Sequence, residues 1–121
     1  MGLHNEIVQP STCVLDTEQL RDVTMDDRDL MREVMRALVD DLARQLELLE
    51  SAIHEGHVQK CIRLAHYSRG ACANVGASRA AALFKQIERD AAEGRFYECR
   101  QALAGLVQEL ELLRSMARAL E

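Results

Sequence analysis

Apolar residues in this chain recur at steps of three and four over most of its length, the spacing that lays one buried stripe along an α-helix. Up to about His54 the stripe runs through Met31, Val34, Leu38, Leu42, Leu46, Leu49 and Ile53, with charges around it. Ahead of it, Asp16-Thr17-Glu18-Gln19-Leu20 has the form of a capped short helix, and Thr24 with Asp27 three residues on resembles a cap for the long one. Gly56 is placed to end the long helix as a left-handed cap. A third helix is expected from about His57 to Asn74, followed by Gly76, and a fourth from about Ala77 to Glu93, closed by Gly94. The rest carries Phe96, Cys99, Leu103, Leu106, Leu110, Leu113, Ala117 and Leu120, alternately three and four apart, the seam of a helix packed at a shallow angle. Links this short favour antiparallel neighbours. No strand alternation, internal repeat or low-complexity tract interrupts the pattern, which predicts an all-α fold: an antiparallel up-and-down four-helix bundle with a short N-terminal accessory helix. Residues 1–14, which include the single proline, are expected to be a flexible leader, and residues 15–121 the bundle domain.

A chain of 121 residues fits one domain and therefore one site on one scaffold. The net charge of −5 supplies no basic surface for nucleic acid or an anionic membrane, which leaves a protein as the favoured partner. Cys13, Cys61, Cys72 and Cys99 form no C-x-x-C pair and follow no apolar signal sequence, so they read as reduced thiols in the cytoplasm. No apolar run approaches the roughly 20 residues that cross a bilayer. A full histidine kinase is excluded by length and by the lack of a glycine-rich nucleotide loop or an α/β pattern.

Helical phase singles out one residue. At about 100° per residue, Cys61, Leu64, Ala65, Ser68, Ala71, Cys72 and Val75 share one direction, which makes them the core stripe of the third helix. His66 faces nearly opposite, on an exposed strip with Gln59, Ile62, Arg63, Gly70 and Ala73. A mid-helix glycine costs on the order of 1 kcal/mol relative to alanine, and at Gly70 the missing side chain would let another surface come close to His66. Arg69, three residues after His66, can reach an anion bound to the imidazole. A histidine of ordinary pKa, about 6.5, is mostly neutral at pH 7 and offers one nitrogen lone pair for phosphoryl attack. The bland alternative is an ordinary surface histidine beside an ordinary arginine, with a glycine that marks tight helix packing.

Two other constellations carry less. His54, His57 and Cys61 have tempting ligand spacings, but Gly56 breaks the helix between the histidines and Cys61 falls in the core stripe. A Cys72–His66 nucleophilic pair fails because the two residues face opposite ways.

The run His66-x-x-Arg69-Gly70 followed by Asn74-x-Gly76-Ala77 resembles the signature of histidine-containing phosphotransfer domains, in which histidine is followed by lysine-glycine and then a glycine-alanine turn. Leu15-Asp16, Asp27-x-x-Leu30, Gly56, Leu83 and Ile87-Glu88 fit as well, so the resemblance covers about residues 15 to 118. Arg69 departs from the usual lysine, exchanging a compact ammonium for a planar fork of donors. Ser68 and Ala80 stand where larger apolar residues are common, implying repacking around neighbours such as Phe84. The resemblance implies a phosphocarrier in which His66 is the phosphoacceptor, Arg69 the stabilising cation and Gly70 the docking clearance, with Ile62, Arg63 and Ala73 on the partner-binding strip. It implies no cofactor of the chain's own, magnesium being supplied by the partner. The implied partners are the receiver domain of a response regulator and a hybrid sensor histidine kinase, met by a monomer. A helical adaptor that binds a receiver or kinase without ever carrying phosphate is the alternative.

Overall fold

The computed structural model describes residues 13–121, and within them the chain forms five helices and no strand. They are α1 (Thr17–Val23), α2 (Arg28–His54), α3 (Val58–Val75), α4 (Ser78–Ala92) and α5 (Phe96–Ala119). Helices α2 to α5 pack each against the next, α5 closes on α2, and α1 lies against α3. This is the four-helix bundle with an accessory helix that the periodicity predicts. Most of the expected leader, residues 1–12, lies outside the described residues. Val14 already packs against the core, and the Cys13 carbonyl accepts the Arg79 N–H at 2.9 Å.

Helix starts follow local capping chemistry. Asp16 accepts the Gln19 N–H at 3.1 Å and begins α1 where its sequence suggests. Thr24 does not begin α2. Fully buried, it turns its hydroxyl back to donate to the Leu20 carbonyl at 2.7 Å, which places it at the end of α1. Met25 and Asp26 then reverse the chain through positive φ, and Asp27 caps α2 by accepting the Leu30 N–H at 3.2 Å.

One core runs the length of the bundle, with Phe84, Met35, Leu49, Ile87, Leu106 and Leu113 its largest fully buried members. Ser68, which helical phase places inside, and Ala80 are both buried, as is Phe84. In α5 the seam is rotated from the expected one. Leu103, Ala117 and Leu120 are only half-buried, whereas Ala102 and Glu109 are inside. Glu109 is tolerated because Arg79 of α4 donates to its Oε2 at 2.6 Å, although among the described residues its Oε1 has no partner.

The α3–α4 turn is the most tightly determined joint. Gly76 has φ +91°, and its carbonyl accepts the Asp16 N–H at 2.8 Å. A Cβ on Gly76 would sit 2.8 Å from the Asp16 carbonyl oxygen, so both the backbone conformation and the space demand glycine. Gln19 adds a second tie, its side-chain amide donating to the Ala73 and Asn74 carbonyls at 2.6 and 3.2 Å in the last turn of α3. This joint holds α3 and α4 antiparallel and so decides what faces what along them.

Candidate functional site

His66 stands on α3 with 68% of its side chain exposed, as helical phase requires. Antiparallel pairing about the Gly76-Ala77 turn brings Glu88 of α4 beside it: His66 lies eleven residues before Ala77 and Glu88 eleven after. The Glu88 carboxylate, 18% exposed, spends one oxygen on each of two α3 side chains. Its Oε1 is 3.2 Å from His66 Nδ1, and its Oε2 accepts from Arg69 Nε at 2.5 Å. Arg69 Nη2 also lies 3.0 Å from His66 Nδ1, so the three residues close a small network on the surface.

Both neighbours of the ring meet the same nitrogen. Nδ1 can serve one of them at a time: protonated, it donates to Glu88; unprotonated, it accepts from Arg69. In the first tautomer Nε2 carries a lone pair, and among the described residues no hydrogen bond engages it. In the second Nε2 carries the proton and is no nucleophile. The carboxylate selects between these states because a charged acceptor holds an N–H more strongly than a neutral ring nitrogen holds a guanidinium donor that is already committed to Glu88.

Gly70 is exposed, one turn after His66, and a Cβ built on it would meet nothing within 4 Å. The bundle's own packing therefore gives no reason for glycine here. Of the strip expected to meet a partner, Arg63 and Ala73 are exposed, while Ile62 is half-buried against the core and presents only its outer side.

The other constellations are not assembled. His57 caps α3, its Nδ1 accepting the Lys60 N–H at 3.3 Å, and Cys61 is fully buried. Among the described residues no three His, Cys, Asp or Glu side chains gather to share a metal ion. Cys72 is buried, and burial pushes its thiol up to about 12, which removes the thiolate a nucleophile needs.

Comparison with known proteins agrees with the helical bundle. The Hpt domain family model matches residues 33–121, nearly three quarters of the chain. The chain belongs to the Hpt domain family. A crystal structure of histidine-containing phosphotransfer protein B (HptB) from Pseudomonas aeruginosa superposes with a TM-score of 0.81 at 23% identity, over 88% of this chain and 92% of that one. At that identity the likeness is one of fold. No curated protein matches the chain. As an Hpt domain it is a histidine phosphotransfer protein of a phosphorelay, a phosphocarrier that works with kinases and receiver domains and is not itself a kinase. Among the described residues no helix is long and apolar enough to cross a membrane.

The sequence names Glu88 only as part of the family resemblance and gives it no role beside His66. Reading α4 alone makes it one of several charges beside the core stripe. Folding the α3–α4 sequence about its glycine-alanine turn would have found it.

Proposed function

We propose that His66 is the residue on which this Hpt domain carries the phosphoryl group, exchanging it through Nε2 with the aspartate of a response-regulator receiver domain. The observation that supports this most is the pairing of an exposed ring with a carboxylate on Nδ1 alone, which leaves Nε2 open. In the forward step the Nε2 lone pair attacks the phosphorus of an aspartyl phosphate, the N–P bond forms, the P–O bond breaks and the carboxylate leaves. The ring's remaining proton stays on Nδ1, where Glu88 balances the positive charge that develops on the imidazole. Arg69 stands beside the ring with Nη donors free to turn toward the incoming phosphoryl oxygens. Most of the rate then comes from positioning, as is general for phosphoryl transfer.

In this reading the receiver brings the magnesium and the chain brings no nucleotide site or cofactor. Gly70 provides clearance, and Arg63, Ala73 and the outer side of Ile62 contact the partner. A hybrid sensor kinase stands upstream, and the chain acts as a monomer in the cytoplasm. The test is incubation with a phosphorylated receiver and magnesium. Wild type is expected to take up acid-labile, base-stable label and His66→Gln none. Equal label in both overturns the reading, and binding without label in either returns the adaptor.

A further inference from the structure

Tyr67 follows His66 and leaves α3 on the side away from Arg69. The residue is 56% exposed, yet its hydroxyl donates to Asp41 Oδ2 on α2 at 3.1 Å. Asp41 is braced in turn, its Oδ1 accepting from Arg44 at 2.8 Å and from Gln45 at 3.4 Å. The hydrogen bond to Asp41 and that residue's negative charge raise the Tyr67 pKa, which keeps the phenol a donor. A large aromatic is thus pinned across the valley between two helices while most of its surface stays wet.

The ground beside the ring is open. Gly70, three residues on, lies on the same side of α3, and Ala37, one turn before Asp41 on α2, is exposed. Neither bears a long side chain, and nothing of the bundle fills the space over Gly70. Arg63, exposed and one turn before Tyr67, borders this patch with positive charge, while Arg44 is paired with Asp41. An aromatic already fixed in one rotamer loses little entropy when a partner covers it, and tyrosine is one of the residues that most often dominates an interface.

We infer that Tyr67, held by Asp41, is the docking anchor for the receiver domain. The receiver covers the ring, seats against Gly70 and Ala37, and is drawn in by Arg63, whose charge complements the carboxylates with which the receiver holds magnesium and accepts the phosphoryl group. Tyr67 is then a specificity residue for the transfer and touches neither the phosphoryl group nor His66. The inference rests on His66 being the phosphoacceptor.

The experiment is steady-state phosphotransfer from a phosphorylated receiver to wild type, Tyr67→Ala and Tyr67→Phe, with Tyr97→Ala as a control on α5, each checked for its melting temperature. Tyr67→Ala is expected to raise KM about tenfold or more with kcat within about twofold. Tyr67→Phe keeps the ring and is expected to raise KM only about twofold to threefold. Tyr97→Ala is expected to match wild type. An unchanged KM in Tyr67→Ala, or a loss confined to kcat, overturns the anchor while leaving His66 standing. Wild type that takes no label from receivers that bind it overturns the underlying reading, and the anchor with it.

Discussion

Replacing Gly70 by alanine separates what the helix wants from what the partner wants. In an exposed helix interior alanine is favoured over glycine by about 0.8–1.0 kcal/mol, because glycine gives up more backbone freedom on folding. Gly70 is exposed within α3, and the added Cβ meets no heavy atom within 4 Å, so neither a clash nor new packing alters that figure. With an unfolding entropy of roughly 2.1 cal/mol/K per residue, the gain corresponds to a melting temperature about 3–4 °C higher. The same methyl group stands one turn from His66 on the surface a receiver must approach, and a displacement on the order of 1 Å there can cost about 100-fold in rate. Gly70→Ala is expected to slow transfer about tenfold, and Gly70→Leu, which is also compatible with a helix, on the order of 100-fold. Circular dichroism melts and single-turnover label transfer from a phosphorylated receiver measure the two effects on one preparation. Transfer at the wild-type rate in both variants would refute the clearance argument, and a lower melting temperature in Gly70→Ala would refute the reading of α3 at this position.

Gly76→Ala tests the joint behind the site: a left-handed conformation costs a residue with a Cβ about 1–3 kcal/mol, and the clash with the Asp16 carbonyl adds to it. Chemical denaturation should show a loss of at least that size, and a change under 0.5 kcal/mol would contradict the account. Glu88→Ala removes the charged partner of Nδ1 and is expected to slow phosphoryl uptake roughly tenfold, with a stability loss of about 1–2 kcal/mol because the carboxylate gives up its bonds to both His66 and Arg69; stopped-flow or quench-flow transfer reads the rate, and an unaltered rate would remove Glu88 from the site. Stability should fall on the alkaline side. Burial raises the Cys72 and Cys99 thiols to about 12 and about 11 from 9.0, so the unfolded chain loses those protons first as pH rises above about 9. Each contributes a loss on the order of 1.4 kcal/mol per pH unit until its folded pKa is reached, and a denaturation midpoint that is flat from pH 9 to 11 would contradict it.

Periodicity carries the bundle because each helix has one dominant neighbour direction, and stripes such as Leu38, Leu42, Leu46 and Leu49 leave little choice of face. It misplaces Thr24 because the same hydroxyl that can start a helix can also end one, and only burial under the bundle decides between Asp27 and Thr24. It leaves Glu109 outside because a charge becomes tolerable in a core only when a cation from another helix reaches it, and Arg79 is thirty residues away along the chain. The site shows the same division. His66, Arg69 and Gly70 lie on one helix, so their arrangement is legible in local phase. Glu88 and Asp41 come from the helices on either side, and they become legible only when the chain is folded about its turns.

The account stands on where the phosphoryl group is attached. Nitrogen-15 NMR of the histidine side chains, recorded before and after phosphorylation by a receiver, reads this directly. The expected result is an N–P bond at Nε2 of His66 with the proton retained on Nδ1, and no change at His54 or His57. Phosphate on Nδ1 of His66, or on another histidine, would contradict it.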